Sequence, residues 1–330
     1  MIPYLILVLV LDMQENFKYL DDLIHSGAKK IFLTSDIVLD ENEESEYVDG
    51  INLDVDDLII EANGHTIDAC GKARIFYITD KRITLKNIVL KNGVGAIYNF
   101  KGVLNIFESS ILSNAADVAG GAIYNNWGKM NIEDSTISDN ASGCHGGAIF
   151  NFNGVVNIAN SRLSNNSAIN DGGAVYSGAE LNIRNSVLSK NTANGSGGAI
   201  YDNRGEINIT ESILSENMAS GMFGGGAIHK NRGILNIAES TLSNNMADND
   251  GGAIFSIDGD LTITYSEFFN NTSESHGGAI YDNGLLSIAD SRLCKNTANC
   301  GGSVYTKNKE YLNLNDCIFN DNQPDDVYRE

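Results

Sequence analysis

A repeat of about 26 residues runs through more than two thirds of this 330-residue chain, and it constrains the fold more than any other feature. The motif Gly-Gly-Ala-Ile-Tyr, or a close variant, begins at Gly120, Gly146, Gly172, Gly197, Gly225, Gly251 and Gly277, with degenerate copies at Gly95 and Gly301. Copies follow one another at intervals of 24 to 28 residues. Two further signatures recur between them. One is Leu-Asn-Ile, as at Leu181–Ile183, and the other is Ser-x-Leu-x-x-Asn, as at Ser186–Asn191. The Ile of the first and the Asn of the second are eight residues apart in all nine copies, from Ile106 and Asn114 to Leu314 and Asn322. Insertions fall elsewhere, chiefly at 220–224. Fixed segments joined by variable loops mean that each period is one structural unit in register with its neighbours. No ten-residue helical pattern fits inside a period. Three short strands and three turns do fit, which predicts an all-β, right-handed parallel β-helix (a solenoid with about 26 residues per coil).

Stacking the periods turns each motif position into a column. The columns Ile106 to Leu314 and Ile111 to Phe319 are apolar throughout and are expected to face the core. Asn114, Asn140, Asn166, Asn191, Asn217, Asn245, Asn271, Asn296 and Asn322 form an unbroken amide column at a turn. Asn tolerates the left-handed conformation, and stacked amides hydrogen-bond to the coils on either side. The Gly-Gly pair is expected to give backbone freedom at the next corner.

The remaining segments divide the chain. Residues 1–16 hold the apolar run Ile2–Leu11, too short to span a bilayer and read either as a signal remnant or as a first strand. Residues 17–92 are expected to form a cap and irregular first coils. Phe17, Leu20, Leu23 and Ile24 mark the buried face of a short capping helix, and strands are expected at 31–33, 58–60, 74–78 and 83–90. The regular array occupies 93–322, and 323–330 is a tail. An uncapped last coil suggests either a longer chain or end-to-end self-association.

The chain carries 22 Lys and Arg against 43 Asp and Glu, a formal charge of −21. That excess disfavours nucleic acid and anionic membrane surfaces as partners. Five cysteines show no metal-ligand spacing, and Cys294 and Cys300 are the one pair placed for a bridge.

Gly-Gly-Ala-Ile together with Phe-x-x-Asn, literal at Phe268–Asn271 and Phe319–Asn322, resembles the repeats of the polymorphic outer-membrane proteins of chlamydiae. The stretch Ala62-Asn63-Gly64-His65-Thr66-Ile67-Asp68, followed by Arg74-Ile75-Phe76, is similar to the adhesin-like β-helix proteins of methanogenic archaea. These resemblances imply an extracellular or cell-surface protein, not membrane-spanning itself, whose partners are glycans or surface proteins of host or neighbouring cells.

Right-handed β-helices also host polysaccharide lyases and glycoside hydrolases, so that activity is the alternative to a non-catalytic adhesin-like or spacer module. Such enzymes need unlike groups converging on one point, commonly a carboxylate pair. In this sequence like groups recur along columns, and no catalytic residue is assigned. Two columns are candidates for binding. The first is an aromatic stripe, Tyr124, Phe150, Tyr176, Tyr201, Phe255, Tyr281 and Tyr305, which alternation from the preceding apolar residue turns outward, either to stack on sugars or to stabilise its own sheet. The second is an acidic column before each Ser. There Glu211 and Glu239, and likewise Asp290 and Asp316, fall in adjacent coils, as turn residues or as calcium ligands. No other cofactor is implied. A polar row, Asn105 to Asn313, is expected to be solvated. Six Asn-x-Ser/Thr sequons, at Asn140, Asn165, Asn194, Asn208, Asn270 and Asn271, agree with secretion.

Overall fold

The computed structural model describes residues 15–330 and is a parallel β-solenoid. The apolar run Ile2–Leu11 lies outside the described residues. Three sheets of 21, 12 and 7 strands run along the rod, and successive coils pair in parallel. The 12-stranded sheet counts the coils. At the usual spacing between strands they make a rod roughly 55 Å long.

The coil opening at Gly146 shows the plan. Its strands are Ile149–Asn151, Val155–Ala159, Arg162–Ser164 and Ser167–Ala168. The first two belong to one bent sheet and the others to one sheet each. Coils in the middle of the array therefore have four strands on three faces, where three strands were expected. The additional strand has two residues, too few to leave a period-2 pattern. Toward the C-terminal end the first two strands fuse into Ile228–Ala238, Ile254–Thr264 and Ile280–Ala289.

Both apolar columns line the core. Ile158 pairs with Ile132 and Ile183, and Leu163 with Ile137 and Leu188, all at most 1 % exposed. Register holds into the irregular coils, where Ile37, Ile67, Leu90 and Ile111 continue one column. The strand expected over 83–90 breaks at Asn87, whose φ of 49° turns a corner between Arg82–Lys86 and Val89–Lys91.

The regular coils turn these three corners by the same device, a left-handed residue followed by an inward one. Asn185, Lys190 and Gly197 have φ of 45°, 58° and 67°, and they precede Ser186, Asn191 and Gly198. Only the first glycine of each Gly-Gly pair supplies conformational freedom. The second is required for its missing side chain, since a Cβ on Gly198 would lie 2.1 Å from the Gly226 carbonyl oxygen.

Helix Phe17–Ile24 covers the N-terminal end. Asn16 caps it, accepting from the Tyr19 N–H at 3.0 Å, and Phe17, Leu20 and Ile24 are buried. It packs on strands Ile37–Val38 and Ile51–Asn52. At the other end residues 323–330 are more than a tail. Val327–Arg329 pairs with Val304–Thr306, and Tyr328 stacks on Tyr305 at 5.2 Å.

Candidate functional site

Ladders of hydrogen bonds fix the columns before any ligand is considered. Asn191 donates from its backbone N–H and from Nδ2 to Asn217 Oδ1, both at 3.0 Å, and from Nδ2 to the Leu163 carbonyl at 3.1 Å. A second ladder, of serines, runs at the previous corner. Ser186 N–H donates to Ser212 Oγ at 3.1 Å, while Ser186 Oγ donates to the Arg184 carbonyl at 2.7 Å. The polar row expected to be merely solvated is also a ladder. Asn157 donates to Asn131 at 2.9 Å, and Asn182 donates to Asn157 at 2.9 Å.

The aromatic stripe lies outside the main core, as the alternation implied, but it differs from the expectation in two ways. The rings stack on one another along the rod axis. Tyr176–Tyr201 centroids are 5.1 Å apart at 14°, and Phe255–Tyr281 are 4.7 Å apart at 15°. Each interior ring thus spends both faces on its neighbours and presents an edge outward, so it offers no free face to a sugar. The C-terminal half is also covered. Phe255, Tyr281 and Tyr305 are 3, 6 and 5 % exposed and pack with Ile257 and Cys300 as a cluster of their own. Phe150 is buried too, whereas Tyr124, Tyr176 and Tyr201 are half-buried. Phe150, Phe255, Tyr281 and Tyr305 therefore do not make the outward contact expected of them: His145 and Phe152 lie against Phe150, Phe223 against Phe255, and His276 against Tyr281 and Tyr305.

Sequence reasoning missed two exposed aromatics beside the open half of the stripe. Trp127 is 59 % exposed at a corner with φ of 61°, and Phe152 is 47 % exposed and stacks on Phe150 at 6.3 Å. Both break the repeat, and the chain's single Trp was the available signal. Beside Trp127, Asn126 donates to the Tyr98 hydroxyl at 3.1 Å.

The acidic column sits at the left-handed corners. Glu211, Glu239, Asp290 and Asp316 have φ of 52°, 50°, 48° and 49°, so each is held there by the turn. Tyr265 separates the two pairs. Glu239, Asp290 and Asp316 line a shallow groove with Tyr265, Glu267 and Arg292. Among the described residues no three His, Cys, Asp or Glu side chains gather as a metal-binding group. Calcium on these pairs would take most of its six to eight oxygens from water. If it binds, millimolar calcium raises the melting temperature by mass action, and Glu211→Gln with Glu239→Gln removes the rise. An unchanged melting temperature for the parent, with and without chelator, would leave these carboxylates as corner residues alone.

Three histidines pair across coils with aspartates, His65 with Asp36 at 3.3 Å, His145 with Asp171 at 3.3 Å and His276 with Asp250 at 2.7 Å. Ser275 Oγ also reaches His276, but at the same Nδ1, so this trio lacks the through-ring relay of a hydrolase triad. All five cysteines are free, including Cys294 and Cys300, so no bridge forms between them. Two sequons fall inside the amide ladder, since Asn140 and Asn271 are 1 and 0 % exposed with their Nδ2 groups engaged.

The least expected feature is an interior polar column one residue after the stripe: Asn99, Asn125, Asn151, Ser177, Asp202, Lys230, Ser256, Asp282 and Thr306, all 0 % exposed. Alternation from the buried Ile before each aromatic directs these inward, but their polarity argued against a core position. At its start the column is an amide ladder, Asn99 to Asn125 at 2.7 Å and Asn125 to Asn151 at 2.9 Å. Further on it carries charge. Burial pushes the carboxyls of Asp202 and Asp282 up to about 6 and lowers His229, in the adjoining ring stack, to about 4.

Fold and columns together define a parallel β-solenoid whose surface chemistry repeats along its length. The model of the Chlamydia polymorphic membrane protein repeat matches residues 160–178, 185–203, 239–257 and 265–283. Four of the array's repeats match this model. Each matched segment starts at the left-handed corner before a ladder Ser and ends two residues past the stripe, so the family pattern is the corner-and-ladder device itself. Neither the comparison with curated proteins nor that with solved structures returned a match. No helix among the described residues is long and apolar enough to cross a membrane.

Proposed function

We propose that this chain is a non-catalytic module of a cell-surface or secreted protein, a stiff spacer that makes adhesive contacts with glycans or surface proteins of host or neighbouring cells. The supporting observation is the columnar surface, in which like groups recur coil after coil, on repeats of the polymorphic membrane protein type. Repetition suits weak multivalent contact, because modest sites in a row add through effective concentration. The adhesive patch is the open half of the aromatic face, where Trp127 and Phe152 stand beside the half-buried Tyr124, Tyr176 and Tyr201.

Changing Trp127 and Phe152 together to Ala is expected to weaken binding to cells or glycan arrays by about tenfold, the worth of one to two aromatic contacts. Tyr281→Ala is expected to lower the melting temperature while leaving the affinity of the folded fraction unchanged. Full binding by the folded Trp127/Phe152 variant would remove the patch. Reproducible product release from pectin or polyuronate by the parent chain would overturn the non-catalytic reading itself.

A further inference from the structure

The interior column holds one charged pair. Lys230 Nζ donates to Asp202 Oδ2 and to the Gly205 carbonyl, the latter at 2.6 Å, and both side chains of the pair are 0 % exposed. Gly205 also donates its backbone N–H to Asp202 Oδ2 at 2.9 Å, so one residue positions both partners. Asp202 Oδ1 is buried and has no hydrogen-bond partner among the described residues. Asp202 and Lys230 are register partners in successive coils, 28 residues apart in sequence.

An ion pair is a costly occupant for such a place, since stripping water from each ion carries a penalty that a single contact only partly returns. Burial pushes the carboxyl up and the lysine amine down, each toward its neutral form. A neutral carboxylic acid beside a neutral amine is the pair that condenses.

We propose that Lys230 and Asp202 join in an intramolecular amide that ties two successive coils together. The Nζ lone pair attacks Cγ, and the carbonyl electron pair moves onto Oδ2, where the Gly205 N–H stabilises it as an oxyanion-hole donor would. Collapse restores the carbonyl and breaks the bond to Oδ1. That oxygen leaves as water, carrying the carboxyl hydrogen and one amine hydrogen. The amide keeps the second amine hydrogen, which remains placed to donate to the Gly205 carbonyl. Holding both groups in one enclosed site supplies an effective molarity on the order of 10⁵ M or more, which favours a condensation that dilute acid and amine do not undergo. The product removes two buried charges. In a solenoid each coil is held only by its neighbours, so such a tie prevents the coils it joins from separating under load.

The test is the mass of the full chain after denaturation, followed by peptide mapping. The chain is expected to be lighter than its sequence by one water, and digestion is expected to release a branched peptide joining the Asp202 and Lys230 segments. Lys230→Arg and Asp202→Ala are expected to restore the full mass. Should either variant fail to fold, the branched peptide from the parent still decides. A parent chain at full sequence mass, or a water loss mapped to any other residue, overturns the proposal.

Discussion

Replacing Asn191 by Leu is expected to destabilise the solenoid by about 3–5 kcal/mol, whereas Lys190→Ala, one residue away at the same corner, is expected to change stability by about 0.5 kcal/mol or less. Asn191 is 0 % exposed, and its Oδ1 accepts from both the backbone N–H and Nδ2 of Asn166, each at 3.0 Å. Its Nδ2 serves the Leu163 carbonyl. Leu matches the volume but returns none of these bonds. The Asn166 N–H is then left buried without a partner, which costs about 1–3 kcal/mol, and the Leu163 carbonyl and Asn217 Oδ1 each lose a donor, at about 1 kcal/mol apiece. Lys190 points outward, more than half exposed, and among the described residues its one charged contact is Glu216 at 3.7 Å. Denaturant melts of the two variants check this, and equal effects would mean that the amide column does not hold the coils.

Much of the fold was legible because a solenoid writes its cross-section into the sequence once per coil. Spacing alone placed the columns of Ile158 and Leu163 in the core and the Asn191 ladder at a turn, and the coil register carries all three. What escaped was short or contradicted its own polarity. The strand Ser167–Ala168 is too brief to alternate. Ser186 reads as an ordinary turn residue until its Oγ is seen to receive the N–H of the coil before it. Asp202 and Lys230 occupy positions that alternation assigns to the interior, yet charge normally excludes residues from a core.

The candidate site was less legible for a related reason. Period-2 alternation tells which side of a strand a residue leaves, and the stripe does leave on the outer side. It does not tell what lies over that side or how rings on neighbouring strands orient. Tyr281 and Tyr201 occupy equivalent positions, yet one is buried, with His276 and Lys307 lying against it, and the other is half-open. Trp127 and Phe152 stand exposed beside the open half of the stripe, at positions that depart from the repeat. In a chain this regular, the departures are the better guide to contact.

Gly173→Ala is expected to be strongly destabilising, costing about 4 kcal/mol or more. Gly173 does not adopt the left-handed conformation, so nothing in its own backbone forbids alanine. The obstacle is its neighbours: a Cβ there would lie 2.1 Å from the Gly198 carbonyl oxygen and 2.5 Å from that of Thr192. Both atoms are backbone in the next coil, and no side chain can turn away to make room. The corner relaxes only by widening the gap between coils, which stretches the bond from the Gly173 N–H to the Gly197 carbonyl, now 3.1 Å, and those stacked beside it. Gly178→Ala in the same coil is the matched control, because its Cβ would meet only the Asn151 carbonyl oxygen at 3.7 Å, an ordinary contact. That variant is expected to be neutral, or to stabilise by about 0.5 kcal/mol through the stiffer unfolded chain. The two proteins differ only in where one methyl sits, so their melts compare directly. If they unfold together, stacking of the glycine corners is not what sets the coil spacing. If Gly173→Ala alone collapses, the second glycine of each pair is there for the room it leaves to the next coil, and the Gly-Gly signature reads as a packing requirement repeated at every turn of the rod.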